Sequence, residues 1–386
     1  MDYRERADTA RDLMLHFAGA TGLWPVRDEP RRYLWTDAFA VCNFLSLYRH
    51  YDEQIYLDLT LSLVEQVHRT LGRHRPDDIR CGWISGLGEV EGAQQPTAGG
   101  LRIGKKLPER SIHQHHDTQL EWERDGQYLH YLTKWMHALC CVGAATGETH
   151  YAVWAGELAE AAWRGFSAGG GQRLVWKASI DLSRPLVASM GHHDPLDAYL
   201  TCREIGERLK LAASEVPGMA PALSGFEALC TGRDWTTPDP LGLGGLLFDA
   251  ARLAQIAGSA PSAEDIALLR DLLQNTHAGL SIWMADSPLG RPAAYRLAFR
   301  ELGLSIGLNA LPVIGRNTAP WLSSALGAGI EPSLRALEKS HSLADVIENF
   351  WLKPESAVAA SWREHDDINT VMLATSLVPE GFLNLI

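Results

Sequence analysis

The stretch SMGHHDPLDAYL at 189–200 sets His192, His193 and Asp194 directly before Pro195 and a helical pattern. A carboxylate beside imidazoles can hold a metal, move a proton or cap a helix; its neighbours in the fold decide which. Clusters of the same kind recur along the chain. Trp35-Thr36-Asp37 opens one apolar stretch, and Glu121-Trp122-Glu123-Arg124-Asp125-Gly126-Gln127 precedes another. Tyr295-Arg296 with Arg300-Glu301 opens a third, and Trp362-Arg363-Glu364-His365-Asp366-Asp367-Ile368-Asn369 precedes a fourth. Acid/base catalysis by carboxyl groups needs two that face one bond, one protonated and one charged. Asp125 or Glu121 on one side and Asp194 or Asp367 on the other are the catalytic candidates. His192, His193 and His365 could steady a carboxylate or carry the proton themselves. Trp35, Trp83, Trp122 and Trp362 offer flat apolar faces with a polar edge, suited to a ring-shaped polar substrate.

Each acid also has a structural role open to it. Asp194-Pro195 and Asp239-Pro240 fit an N-cap followed by proline at the first helical position, and the helix dipole would favour Asp37 and Asp367. Capping does not call for neighbouring histidines and tryptophans, so the clustering selects the set; Asp239 lacks such company and is read as a cap. A polar stripe, Gln127, His130, Lys134 and His137, runs at spacings 3, 4 and 3 down an otherwise apolar helix. It must find partners or line a wet cavity. We read it as a hydrogen-bond network whose pocket-end members, Gln127 and His130, meet substrate. Asp37, Arg102, Lys105, Arg296, Glu301 and Asn369 complete the expected substrate-binding set. GGLRIGKKLPER at 99–110 has Lys106 where a phosphate loop needs Ser or Thr, and no apolar strand precedes it, so no nucleotide loop is expected. Its basic run could receive a carboxylate or phosphate. HQHHD at 113–117 lacks partner spacing for a metal, and neither a metal nor an organic cofactor is expected.

The elements that must position these residues are almost all helical in period. YLDLTLSLVEQVHRTLG at 56–72 places Leu57, Leu61, Val64 and Leu71 on one stripe, the mark of a helix covering a core from outside. AFAVCNFLSL (38–47), YLTKWMHALCCVGAA (131–145), LGLGGLLFDAARLAQIA (241–257), LGLSIGLNAL (302–311) and INTVMLATSL (368–377) are apolar nearly all round and must be buried on all sides. The two types alternate. Inner helices are expected near 37–50, 126–146, 195–211, 241–257, 295–311 and 367–377. Outer ones are expected near 2–19, 53–72, 149–167, 217–231, 262–278 and 329–351. RLVWKASI (173–180) and LRIG (101–104) read as strands. No linker divides the chain, so one domain over 1–386 is expected, with a long irregular loop at 73–124 that far exceeds the usual loop length.

The composition bounds the partners. The 386 residues carry a formal net charge of −12 and show no basic face, which argues against nucleic acid or an anionic membrane. The first residues lack an apolar leader core and no stretch is long and apolar enough to span a bilayer, so a cytoplasmic location is expected. Six cysteines without CxxC spacing are too few for a disulfide scaffold and read as small buried hydrophobes.

Alternating inner and outer helices, with acids, histidines and tryptophans at the inner N-termini, resemble the six-hairpin (α/α)6-toroid carbohydrate-active enzymes. That superfamily includes glycoside hydrolases and the N-acylglucosamine 2-epimerase family. The resemblance implies an all-α double barrel, a site at the inner N-terminal end and a small sugar or oligosaccharide substrate, and leaves oligomeric state open. The epimerase branch implies a histidine before the last inner helix, which His365 matches, and one near the third, matched by His192 or His193. It also implies His-x-x-Glu at the fourth inner helix, which PDPLGLGGLLFD (238–249) lacks. On that departure a glycoside hydrolase using two carboxylates is the leading expectation, with a histidine-based epimerase or isomerase second. HDDIN at 365–369 keeps a terpene-cyclase-like enzyme as a third.

Overall fold

Proline placement and apolar period set most of the element boundaries. In the computed structural model, residues 1–322 and 329–385 are described. They form an all-α fold whose strands are only two or three residues long. The chain divides into two compact units. One comprises Ala18–Tyr48 and Asp52–Thr231; the other comprises Met1–Phe17, Arg49–Tyr51 and Gly232–Leu385.

In the first unit the Leu34–Tyr51 helix is buried at every position from Leu34 to Leu47, as an inner helix must be. The Gln54–Leu71 helix buries Tyr56, Leu59, Thr60, Leu63, Val64, Val67, His68 and Leu71, a single stripe at helical spacing. The same alternation continues with Leu129–Thr146 and His150–Phe166, then Asp194–Leu211 and Met219–Cys230. Side-chain pairs at 130/194, 134/197 and 137/204 climb together, so the Leu129–Thr146 and Asp194–Leu211 helices run parallel with their N-termini at one end.

The second unit pairs Pro240–Ala257 with Ala263–Ala285 and stacks Ala298–Leu308 between Pro240–Ala257 and Asp366–Leu377. Glycines allow the closest approach: a Cβ on Gly244 would sit 2.0 Å from the Gly303 carbonyl oxygen. The Ser262 capping box starts the Ala263–Ala285 helix, and Asp239 accepts from the Leu241 and Gly242 amides, the capping role expected of it.

Most helices fall within a few residues of their expected bounds; the one expected at 262–278 runs on to Ala285, and one region is corrected. The expected outer helix at 329–351 is two helices, Glu331–Glu338 and Leu343–Trp351, and a further helix, Leu311–Leu322, follows directly on Ala298–Leu308. Pro312 supplies no amide to the preceding turn, so the inner helix stops and a new one starts at Leu311. The expected strand at 173–180 is split into Arg173–Leu174 and Lys177–Ala178, which pair with different partners. LRIG is extended but no strand, because its amides bond to three different segments through the Gln127 side chain, Leu71 and Gly126. No described helix is long and apolar enough to cross a membrane.

One buried charge ties the second unit together. Glu348, 2% exposed at its side chain, pairs with Arg6 at 2.7 Å. Its Oε1 also accepts from Ser376 at 2.6 Å and Ser305 at 3.2 Å. Removing the arginine strands a buried carboxylate. Arg6→Ala is therefore expected to cost about 3 kcal/mol, read as a lower denaturant midpoint; an unchanged midpoint would show that the pair holds nothing.

Candidate active site

The loop at 73–124 is held by three polar anchors. Asp125 is fully buried, and its carboxylate accepts from Arg102 at 2.6 Å and Arg75 at 3.2 Å, and from the amides of Gly104, Lys105 and Gly126. Arg102 also donates to the Arg73 and Thr70 carbonyls. Glu121 accepts from Lys177 at 3.0 Å and Arg110 at 3.0 Å. Burial works to raise its pKa, but the Lys177 ammonium and then the Arg110 guanidinium hold it below the usual range. Gln127 bonds the Leu101 amide and the Gly99 and Ile180 carbonyls. It presses on Gly100, where φ is +80° and a Cβ would lie 2.1 Å from Gln127 Oε1. These partners engage Asp125, Glu121, Gln127 and Arg102 in anchoring the loop.

Asp37 is also structural. It accepts from the Tyr33 amide at 2.9 Å and pairs with Arg32 at 3.3 Å inside the first turn of its helix. Trp83 is buried against Gly92 and under the Arg73 guanidinium, which lies 5.1 Å from its ring. In the second unit, Arg296 and Glu301 form a buried bidentate pair to which the Trp351 indole adds a hydrogen bond. Trp362 donates to Asp366 at 2.8 Å and its carbonyl accepts from the buried Asn369. His365 stands at the N-cap of the Asp366–Leu377 helix against Phe299, with Asp367 half-buried in the first turn.

What remains in the first unit is a pair of another kind. Asp194 does not cap its helix; the N-cap is His193, and Asp194 occupies the first helical position, folded back over Gly191. Its Oδ1 lies 4.0 Å from His130 Nδ1. Neither His130 Nδ1 nor Asp194 Oδ2 has a hydrogen-bond partner among the described residues. Burial, and then the nearby Asp197 charge, push the Asp194 pKa up to about 7 against the pull of the Gly191 amide and Lys134. Burial, and then Lys134, lower His130 to about 4, so near neutral pH the imidazole is uncharged. Asp197 accepts from Lys134 at 2.7 Å and from the Thr133 hydroxyl, which fixes the negative charge beside Asp194.

Aromatic rings surround His130. Tyr128 stacks on His130 at 5.2 Å, Trp176 lies parallel to it at 5.8 Å, and Trp35 and Tyr131 meet it edge-on. Trp122, 48% exposed, stands against Trp176 at 4.7 Å and continues the wall outward. Lys105 lies 5.5 Å from the Tyr33 ring, beside the Tyr33–Tyr131 hydroxyl contact at 2.6 Å. His192 is exposed and His193 half-buried, their rings 4.8 Å apart on the approach to Asp194. A quarter of the His130 side chain stays exposed, enough for a ligand to touch it. The structure thus brings together Asp194, His130, Trp35, Trp122, Lys105, His192 and His193 from the expected set. Tyr128, Tyr131, Trp176 and Asp197 were not singled out. Trp176 was assigned to a strand, and Asp197 is one of many acids that close a helical turn.

No protein-family model matches the sequence, and no curated protein matches it. Among solved structures, the crystal structure of D-mannose isomerase matches with a TM-score of 0.51 at 8% identity, covering 91% of this chain and 88% of that one. At that identity the likeness is one of fold, and it agrees with the all-α toroid class.

Asp194 should destabilise the folded state when charged. A carboxyl raised in the fold binds more protons there than when unfolded, so its contribution falls as pH rises from about 4 to about 7. Asp194→Asn is expected to raise the unfolding free energy at pH 8 by up to about 4 kcal/mol, read as a higher denaturant midpoint, with the gain fading towards pH 4. Denaturation curves across this range check it, and loss of stability at pH 8 would make Asp194 a structural group.

Proposed function

We propose that the protein is a sugar isomerase or epimerase that moves a proton within one free monosaccharide, with Asp194 and His130 at its centre. The observation that carries this reading is the pair itself: a carboxyl poised near neutral pH beside an uncharged imidazole, both with open hydrogen-bonding atoms. The fold likeness to D-mannose isomerase supports the same class of reaction. Hydrolysis is less well supported, because in the first unit Asp125 and Glu121 are saturated by cations and Asp194 has no second open carboxyl group facing it.

The chemistry needs no cofactor. In the aldose-to-ketose direction the Asp194 carboxylate takes the proton from the carbon next to the carbonyl. The His130 N–H hydrogen-bonds the carbonyl oxygen as electrons move onto it and passes its proton to that oxygen, giving an enediol. The carboxylic acid then returns its proton to the former carbonyl carbon while the neighbouring hydroxyl gives its own proton back to the His130 nitrogen, so both groups end in their starting forms. An uncharged imidazole suits the oxygen, since it can donate without holding the developing charge too tightly. Trp176, Trp122 and Trp35 supply apolar ring faces against which a pyranose or open-chain sugar can lie.

Free aldohexoses, D-mannose first, incubated with the protein in D2O are expected to give the ketose with deuterium at the exchanged carbon, followed by NMR. Asp194→Asn is expected to lower turnover by at least about 100-fold, the usual weight of a general acid/base. His130→Gln is expected to lower kcat more than it raises KM. Release of reducing ends from an oligosaccharide, with no exchange in free sugars, would overturn the reading in favour of a hydrolase.

A further inference from the structure

Deeper along the same polar stripe, nearly two turns from His130, lies a cluster that the sugar chemistry does not use. His137 and Cys141 stand four residues apart on one face of the Leu129–Thr146 helix, and Cys42 faces them from the Leu34–Tyr51 helix. The two sulfurs and a histidine ring nitrogen all lie within 4.8 Å of one another, and all three residues are buried. His137 turns its Nδ1 to the Glu204 carboxylate at 2.9 and 3.0 Å and its Nε2 to Cys141 Sγ at 3.5 Å.

We infer that Cys42, Cys141 and His137 form a binding site for a thiophilic divalent cation of the zinc type, with Glu204 orienting the imidazole. Two thiolates and one imidazole are the ligands such an ion prefers. A carboxylate on the far nitrogen of a ligating histidine fixes the tautomer that leaves Nε2 free for the metal. The spacing agrees as well. Zinc–sulfur and zinc–nitrogen bonds of about 2.3 and 2.05 Å at a tetrahedral angle put S and N about 3.5 Å apart, the separation seen here between Cys141 and His137. Two sulfurs on one zinc lie about 3.8 Å apart, so closing the present cluster onto an ion asks for a shift of about 1 Å or less. The three side chains define one face of a tetrahedron. The cation would offset the negative charge of Glu204 and the thiolates, which is otherwise costly to bury. Placed there it would pin the Leu34–Tyr51 helix to the Leu129–Thr146 helix a few turns beneath the candidate active site.

The test is metal analysis of the full chain purified without chelator and intact in its thiols. About one Zn2+ per chain is expected. Cys42→Ser and Cys141→Ser are each expected to lower the content at least tenfold, and Cys140→Ser, equally buried but outside the cluster, is expected to leave it unchanged. Chain produced with Co2+ in place of Zn2+ should show thiolate-to-cobalt charge-transfer absorption and tetrahedral d–d bands. Wild-type protein that holds no stoichiometric zinc, and gains neither bound metal nor thermal stability on adding Zn2+, overturns the inference. So does a Cys42–Cys141 disulfide, seen as two thiols missing from alkylation of the denatured, unreduced chain. Because both decisive readouts are on the wild-type chain, they stand even where a serine variant fails to fold.

Discussion

Buried polar groups must be paired, and the first unit is organised by how it meets that requirement between two parallel helices. Along Leu129–Thr146 and Asp194–Leu211 the rungs are His137 with Glu204, Lys134 with Asp197 and His130 with Asp194. The lower two close at 2.9 and 2.7 Å; the top one stays open at 4.0 Å. Closed rungs fix the register of the helices, since sliding either by one turn would strand charges in the core. The open rung lies at the N-terminal end, where the long loop and the aromatic wall meet it. One stripe of side chains thus serves first as structure and then as chemistry, and the difference is a single missing hydrogen bond.

The loop at 73–124 works in the opposite sense. It buries Trp83, Ile84, Leu101 and Ile103 and contains two short helices, Glu89–Gln94 and Thr118–Glu123. Its conformation rests on charges taken out of water: Asp125 between Arg102 and Arg75, Glu121 between Lys177 and Arg110, and Gln127 on three backbone groups. Such pairs add little net stability when intact but are costly to break, so they hold one conformation firmly. The strand pairing of Gln127–Tyr128 with Lys177–Ala178 passes that rigidity on to Tyr128 and Trp176, which flank His130.

The fold was legible because helical period and all-round apolarity are local properties, visible in any window of a dozen residues. The errors sit where one residue interrupts the period, as Pro312 does, or where extended backbone bonds to several segments, as at 101–104. The site was legible only in part, and the reason is physical. In sequence, a carboxylate that starts a helix as a catalytic acid looks the same as one that starts it as an anchor. Asp125 and Asp194 differ through Arg102, Arg75, Lys134 and Asp197, whose nearness is set by the tertiary fold. The histidines that accompany Asp194 lie beside it in the fold, whereas those of HQHHD lie in solvent next to Asp117, which caps the Thr118–Glu123 turn. Cys42 and Cys141 read as small hydrophobes for the same reason, since their spacing of 99 residues hides the common wall they share.

The proposed proton transfer also explains why the open rung carries these two residue types. A carboxylate in water has a pKa near 4 and returns protons poorly at neutral pH. At Asp194 burial and the Asp197 charge press the pKa upward while the Gly191 amide and Lys134 press it down, and the balance falls where the group can both take and give a proton. Burial, and then Lys134, keep His130 uncharged, so the cation one turn below bears on both members of the pair. The Lys134–Asp197 rung is therefore more than a strut: it sets the electrostatics of the rung above it.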